Sequence, residues 1–256
     1  ILRRAMDYSR PFGFPILLRP GEPSLTGQGA MHEGPVSIRM GLRGDPTAAE
    51  EIGITRILSL ARTTGARVHI SHVTSAQGVA LIGAAKAQGL QITASCPARN
   101  LLLCDQSIEA HGYDTRLRLV PPLRSEVDRD TLRAAVADGV IDSLISDHKP
   151  WTRVEKEIEF EWCQPGAMGL ETALSAALEG LAGDVSVVLR SLSVAPSAIL
   201  GRRAAIEEGA VADLAVFEPA AVVTHGPPWR SKGLNEPFDG VTLPGRVRAT
   251  IVDGRI

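Results

Sequence analysis

The sequence predicts an α/β fold in which short buried strands alternate with helices along most of the chain. Apolar runs of about five residues, each followed by a helical pattern, are typical of βαβ units and therefore of a parallel sheet. Two architectures fit this order: half of an eight-stranded barrel, or a complete doubly wound sheet. Neither GxGxxG nor GxxxxGK[ST] follows a strand, so a nucleotide site would lack its usual loop. The predicted strands are Ile16–Leu18, Arg67–Ser71, Gln91–Ala94 and Ser143–Ser146.

The helices are indicated by apolar periodicity and by residues that begin or end a helix. Ser125 is a predicted N-cap with Asp128 three residues later, and Gly139 ends that helix. The predicted helices are Ile1–Arg10, Pro46–Thr64, Ser75–Gln88, Ser125–Asp138 and Leu170–Leu181, with short helices at Ser186–Arg190 and Pro196–Leu200.

The pattern changes from about Ile206, where apolar and polar residues begin to alternate. Glu208–Gly209 and Asp253–Gly254 are predicted turns, the latter of the hairpin type. We therefore expect residues 206–256 to form a small antiparallel β module after an α/β unit of residues 1–205.

Composition excludes several classes of protein. The chain has 256 residues and a net charge of −2, which gives no reason to expect a nucleic acid or a membrane surface as a partner. No apolar run is long enough to span a membrane. Cys96, Cys104 and Cys163 lack CxxC spacing, so reduced thiols and a cytoplasmic location are expected. Ile1 begins within a helical pattern that has no N-cap, which favours a segment of a longer protein.

The candidate site centres on Asp147, which follows a short apolar strand and precedes His148. Chemistry in a (β/α) barrel takes place at the carboxyl ends of the strands, where His72 also lies. Such a carboxylate and imidazole can bind a divalent metal, and the carboxylate can act as a general base. Asp147 could instead cap a loop, and His72 could be a packed core histidine. His148 fits either a supporting role or a substrate contact.

Other polar residues are less informative. Arg19, at a strand end, could bind an anion or pair with Glu22. His69 is predicted to be structural because it points to the opposite side of its strand from His72. No GxSxG motif is present, so the sequence does not predict a nucleophilic serine. Surface positions are expected for the remaining histidines, His32, His111 and His225.

Several motifs together resemble the class I dihydroorotases of the amidohydrolase superfamily. They include MHEGPVSIRMGL, ARVHISHVTSAQGVALIGAAKAQGLQITA, VPPLRSEVDRDTLRAAVADGVIDSLISDHKPW and PGAMGLETAL, followed by a matching C-terminal tail. The resemblance implies the second half of a TIM (β/α)8 barrel of the metal-dependent amidohydrolase type. The C-terminal β module would be part of a β-sandwich, and half a barrel would expose a sheet edge and an apolar face.

The resemblance also assigns roles to residues. It implies that His72 is a metal ligand, that Asp147 is the catalytic and metal-binding carboxylate, and that Gly166 belongs to a substrate loop. Zinc would be the metal. Family metal-binding or substrate-binding groups are replaced at Arg19, Arg99, Asn100, Val120 and Trp151.

These replacements predict a degenerate site. An arginine has no acceptor atom and cannot ligate a cation. We hypothesise that the Arg19 guanidinium pairs with Asp147 in place of the metal. The resemblance then implies a dihydroorotase-like protein of pyrimidine biosynthesis, oligomeric and structurally associated with aspartate transcarbamoylase. The alternative is an active zinc-dependent cyclic amidohydrolase that interconverts dihydroorotate and carbamoyl aspartate.

Overall fold

The computed structural model describes residues 1–255, and its centre is a parallel sheet. The sheet has the strand order β1-β4-β5-β6, so its four strands follow one another across the sheet in the same order as along the chain. A parallel pair, β2 with β3, and an antiparallel pair, β7 with β8, complete the strands. The strands are β1 (Ile16–Leu18), β2 (Met31–His32), β3 (Gly44–Asp45), β4 (Val68–Ile70), β5 (Ile92–Pro97), β6 (Ser143–Ile145), β7 (Leu214–Thr224) and β8 (Thr242–Ile251).

All the strands predicted for the parallel sheet are present, with ends within a few residues of the predicted bounds. Val68 pairs with both Ile16 and Ile92, which places β4 between β1 and β5. Val68 and Ile92 are buried, as expected for a sheet covered by helices. The short β2–β3 pair was not predicted, because a strand of two residues is too short to show an alternation of apolar and polar residues.

The helices follow the strands as predicted. Ser75 accepts a hydrogen bond from the Gly78 amide at the start of α5, and Ser125 with Asp128 forms the capping box of α7. The helices are α1 (Leu2–Ser9), α2 (Pro23–Thr26), α3 (Pro35–Met40), α4 (Thr47–Thr64), α5 (Ala76–Ala87), α6 (Asp105–Ala110), α7 (Glu126–Ala137), α8 (Arg153–Lys156), α9 (Ala173–Gly180), α10 (Val185–Leu189) and α11 (Ala195–Ile199).

The main core lies between the parallel sheet and the helices that follow its strands. Ile54 of α4, Ile82 of α5 and Leu132 of α7 are fully buried there, together with Ile70 of β4. Burial of each such side chain stabilises the fold by roughly 1.5–3 kcal/mol. This core fixes the relative positions of the strand ends.

The β1 side of the sheet is different, because β1 is an edge strand. Leu17 is 56% exposed, and the neighbouring aromatic rings of Tyr8, Phe12 and Phe14 are also exposed. The sheet therefore presents an apolar surface at this edge, as the sequence led us to expect.

The C-terminal strands form the predicted antiparallel hairpin. The predicted Asp253–Gly254 turn lies beyond β8, between the paired residues Val252 and Arg255, and both of its residues have positive φ. The hairpin packs on α9: a Cβ on Gly245 would lie 2.5 Å from Leu178 Cδ1. The absence of a side chain at residue 245 is thus what allows this close approach.

The cysteines and the helix lengths were also considered from the sequence. The three cysteines are free thiols and are buried. Among the helices of residues 1–255, none has both the length and the apolar character needed to cross a membrane.

Candidate active site

His72 and Asp147 meet where β4 and β6 end. The His72 Nε2 atom lies 3.0 Å from Asp147 Oδ1. Both residues adopt positive φ, 59° for His72 and 42° for Asp147. Non-glycine residues rarely take this conformation, and such strain is concentrated at functional sites. The structure thus brings together the two retained residues named from the sequence.

Arg99 is the third member of this cluster. It lies in the 3-10 turn after β5, and its side chain is only 2% exposed. Its Nη1 donates to Asp147 Oδ2 at 3.2 Å. Its Nη2 donates to the backbone carbonyls of Ser146 at 2.5 Å and Asp147 at 2.6 Å. The guanidinium therefore binds both the side chain and the backbone of the loop that carries Asp147.

Gly169 makes room for this arrangement. A Cβ at residue 169 would lie 2.6 Å from the Ser146 carbonyl oxygen and 2.8 Å from Arg99 Nη2. Neither atom belongs to a freely movable group, since the guanidinium is held by its hydrogen bonds. A glycine is therefore required for Arg99 to reach the β6 loop in this way.

The charges of the cluster act on each other. Burial alone would raise the pKa of Asp147, but the hydrogen bond from His72 and the positive charge of Arg99 outweigh it and lower that pKa. Desolvation lowers the pKa of Arg99, and the charge of Asp147 opposes this effect. Asp147 is consequently held as an ionised carboxylate against a guanidinium.

The expectations for Arg19 are corrected. Glu22 pairs with Arg56 instead, at 3.2 Å, and within residues 1–255 Arg19 forms no salt bridge with Glu22 or Asp147. The predicted ion pair with Asp147 does exist, but Arg99 makes it. Arg19 acts on Asp147 only through its charge, and it lines a cavity of about 260 Å³ together with Val120.

His148 lies in the loop directly after β6 and is held by the segment that precedes α9. Its Nδ1 accepts from the backbone amides of Gly169 and Leu170, both at 3.3 Å. Its Nε2 lies 3.4 Å from Ser231 Oγ. The ring therefore ties this loop to residues near the C-terminal hairpin, which fits the supporting role considered for it.

Gly166, Trp151 and Asn100 lie around the cluster without joining it. Trp151 Nε1 donates to the Pro165 carbonyl at 3.1 Å. Gly166 is buried with a φ of 135°, and its carbonyl accepts from the buried amide of Asn235 at 3.0 Å. Asn100 is buried beside Arg99 in the same 3-10 turn. Their predicted family roles remain predictions.

Two groups of supporting residues were missed from the sequence. Glu50 is buried and accepts from the Thr74 and Ser75 amides at 3.0 Å, which holds the segment after His72. Asn235 also accepts from the Trp151 amide at 2.8 Å, although its segment reads as an irregular polar loop. The apolar Phe238, which is buried three residues later, was the available signal.

The predictions for the other histidines are mixed. His69 is buried, with its two ring nitrogens 2.9 Å from Thr93 Oγ1 and 3.0 Å from Ser95 Oγ, so its structural role is confirmed. His111 is exposed as expected. His32 and His225 are instead half-buried, and each has one buried ring nitrogen without a hydrogen-bond partner among residues 1–255. Both were wrongly predicted as surface residues because flanking glycine and proline resemble loop sequence.

Comparison with known proteins identifies the family. The family model described as "Amidohydrolase family" matches residues 25–256. The chain belongs to the amidohydrolase family. This amidohydrolase chain is 40% identical, over the whole of its own length, to a dihydroorotase of Anaeromyxobacter dehalogenans. A dihydroorotase-like protein of Pseudomonas aeruginosa is 37% identical, also over the whole chain. The chain spans about 60% of the length of these relatives.

The fold of the amidohydrolase chain is supported by solved structures. The D-hydantoinase (dihydropyrimidinase) of a Thermus species aligns with a TM-score of 0.83 over 99% of this chain and 59% of that protein. At 21% identity this likeness shows the fold alone. The parallel sheet and its helices are therefore a part of a TIM barrel of amidohydrolase type, and the barrel alternative is the correct one.

The described residues offer the metal that the family implies few ligands and a neighbouring positive charge. Structural and catalytic zinc sites use three or four protein ligands. Among residues 1–255, no group of three or more histidine, cysteine, aspartate or glutamate residues could hold a metal ion. His72 and Asp147 supply only two such groups, and a metal bound to them would lie close to the Arg99 guanidinium. Repulsion between the two cations would oppose binding.

Proposed function

We propose that this chain is the amidohydrolase part of a dihydroorotase-like protein of de novo pyrimidine biosynthesis that does not use a metal to hydrolyse dihydroorotate. The observation that carries the proposal is the buried Arg99 guanidinium, which binds Asp147 Oδ2 and the backbone of the same loop. Both carboxylate oxygens of Asp147 are thereby occupied, since Oδ1 is bound to His72.

This arrangement resists a metal for two reasons. A metal at Asp147 would have to displace hydrogen bonds that the guanidinium makes to a carboxylate and to two carbonyls. Displacement would also leave a 2% exposed cation without its counter-charge, which is strongly unfavourable. Arg99 thus fills the electrostatic role that a metal has in the rest of the family.

We further propose that the protein serves as a structural partner of aspartate transcarbamoylase. Loss of metal chemistry leaves the fold intact, because the ends of β5 and β6 are held together by Arg99 without a metal. An amidohydrolase fold that has lost its metal chemistry still has its outer surface. Aspartate transcarbamoylase would bind that surface, which does not depend on the reaction. The proposal extends to an oligomeric assembly containing both proteins.

A second candidate is an active dihydroorotase with an altered site. The retained contact between His72 and Asp147 favours it, as do relatives that carry the name dihydroorotase. In that case Asp147 would act as the proton acceptor and donor of the reaction. The ion pair with Arg99 argues against this role, because it lowers the pKa of Asp147 and makes the carboxylate a weaker base.

The test uses the intact protein as its gene encodes it. Zinc content and dihydroorotate hydrolysis are measured with and without added zinc, beside an active dihydroorotase as the reference. We expect substoichiometric zinc and no turnover above background, whereas stoichiometric zinc with turnover near the reference would refute the proposal. The variant Arg99→His is measured in parallel, and zinc uptake by it alone would identify Arg99 as the excluding group.

The structural role is tested separately. The intact protein is mixed with aspartate transcarbamoylase of the same organism and passed through size-exclusion chromatography with light scattering. We expect one complex larger than either component. Independent elution of the two proteins at micromolar concentrations would contradict the structural role and leave the metal result unaffected.

A further inference from the structure

A separate cavity lies at the amino ends of β1, β4 and β5, on the opposite edge of the sheet from His72 and Asp147. Its volume of about 390 Å³ is within the range of about 300–1,000 Å³ that is usual for small-molecule sites. The turns that lead into the three strands supply its walls. The lining residues are Arg10, Gly13, Phe14, Gly65, Arg67 and Gln91.

The backbone around this cavity is fixed by the sheet. The Ile16 amide donates to the Arg67 carbonyl at 3.0 Å, and the Val68 amide donates to the Gln91 carbonyl at 3.0 Å. Gly65 ends α4 with a φ of 68°, which lets the chain turn directly into β4. The cavity is therefore bounded by turns whose relative positions the parallel strands determine.

Two guanidinium groups are placed at this cavity by their contacts. Arg67 Nη1 donates to the Gly13 carbonyl at 2.7 Å, which holds that side chain across the turn before β1. Arg10 Nε would lie 3.9 Å from a Cβ built on Gly65, so the Arg10 side chain extends towards the end of α4. The two arginines thus approach the same cavity from different turns.

The charge around the cavity is positive and is not balanced by its lining. Among residues 1–255, no aspartate or glutamate lines the cavity. The acidic residue nearest to Arg10 in the sequence, Asp7, is 3.8 Å from Arg3 instead. Arg10 and Arg67 repel each other, and an anion between them would be attracted by both.

Phe14 gives the cavity an aromatic wall. It is 51% exposed, and its ring stacks on that of Phe12, with the centroids 5.6 Å apart and an angle of 18° between the planes. Phe12 in turn contacts Tyr8, with the centroids 5.4 Å apart. An exposed ring that neighbouring rings support can stack on a planar heterocycle.

We propose that this cavity binds a nucleoside diphosphate. A guanidinium presents parallel N–H donors that match phosphate oxygens, and the two arginines suit a ligand with two phosphate groups. The Phe14 ring stacks on the base. The Gln91 side-chain amide offers both a donor and an acceptor for the sugar or the base. Binding is non-covalent and leaves the ligand unchanged.

This inference goes beyond the proposed function and does not rest on it. The cavity and Asp147 lie at opposite edges of the same sheet, so a ligand in one does not occupy the other. Zinc content and dihydroorotate turnover report on the edge that carries Asp147. Nucleotide binding reports on the edge that carries Arg10 and Arg67.

The experiment is isothermal titration calorimetry of the intact protein with ADP and with UDP at about 0.15 M salt, where exposed charges are strongly screened. We expect one site per chain for both nucleotides, because stacking tolerates any base. Pyrophosphate and adenosine should each bind at least about tenfold more weakly than ADP. Absence of binding by both nucleotides, or equal affinity for ADP and either of its halves, would overturn the proposal.

Substitutions then locate the site. Arg10→Met and Arg67→Met should each raise the Kd for ADP about tenfold, because each removes a charged hydrogen bond to phosphate. Phe14→Ala should raise the Kd for ADP and leave that for pyrophosphate unchanged.

The matched control is Arg62→Met. Arg62 is an exposed arginine of α4 that donates to Gln88 Oε1 at 2.7 Å and is not part of the cavity lining within residues 1–255. This variant loses the same charge and should bind ADP as tightly as the unaltered protein. Equal losses of affinity in Arg62→Met and Arg67→Met would show unspecific attraction to positive charge and would refute the site.

Discussion

Arg99 and Arg19 follow two strands of the same sheet, β5 and β1, which are separated by β4. Arg99 follows β5, is almost fully buried and makes an ion pair and two backbone hydrogen bonds. Arg19 follows the edge strand β1, is exposed and makes no salt bridge within residues 1–255. The same residue type is therefore bound by an ion pair and hydrogen bonds after β5, whereas after β1 it makes no salt bridge within residues 1–255.

The difference shows that position in the sheet decides what a charge contributes. The end of β5 is enclosed by β6 and by the loop that carries Gly169, so a cation placed there must find partners. Arg19, after the edge strand β1, makes no salt bridge within residues 1–255, and desolvation lowers its pKa while the charge of Asp147 opposes this effect. The following predictions test this contrast, beginning with the largest expected effect.

Arg99→Met should lower the free energy of unfolding by about 3 kcal/mol, because it leaves the partly buried Asp147 carboxylate without its cation. Urea unfolding followed by circular dichroism measures the change. The double variant Arg99→Met with Asp147→Asn is the control and should recover part of the loss. A change below that of an ordinary surface substitution would contradict the assignment of Arg99 as a structural cation.

Gly169→Ala should lower the free energy of unfolding by about 2 kcal/mol, since the added Cβ would contact the Ser146 carbonyl and the Arg99 guanidinium at less than 3 Å. Thermal unfolding gives the difference. The matched control is Gly83→Ala in α5, where the Cβ would lie 3.6 Å from Val140 Cγ1. That change should be stabilising by up to about 1 kcal/mol, because alanine favours a helix.

Asp147→Asn should remove part of the acid sensitivity of the protein. The pKa of Asp147 is lowered in the folded state, so its contribution is fully present above the unfolded value of about 3.9 and is lost as the pH falls through the folded value. The difference in unfolding free energy between the unaltered protein and the variant should be constant above about pH 5 and shrink below about pH 4. Urea unfolding at a series of pH values measures it, and a pH-independent difference would contradict the lowered pKa.

Arg19→Met should change the free energy of unfolding by less than about 0.5 kcal/mol, as is usual for exposed residues that bind no partner. The measurement is the same urea titration that is used for Arg99→Met, which makes the two substitutions directly comparable. A loss close to that of Arg99→Met would show that Arg19 is engaged in the folded protein and would remove the contrast between the two strand ends.

Much of the fold could be predicted because it depends on local patterns. The Ser125–Asp128 capping box marks a helix start through backbone geometry and short-range hydrogen bonds, and it was placed correctly. The apolar strands were found for the same reason. The β2–β3 pair and the buried segment around Asn235 were not, because both depend on contacts with residues far away in the sequence.

The sequence by itself determined the order of strands and helices, the C-terminal hairpin, and the presence of His72 and Asp147 at strand ends. Through the family resemblance it also predicted that polar groups of the family are replaced at Arg19 and Arg99. Only the tertiary structure decided which arginine binds Asp147. The reason is physical: a residue's type fixes which bonds it can make, but its partners are set by how separate strand ends are brought together by packing.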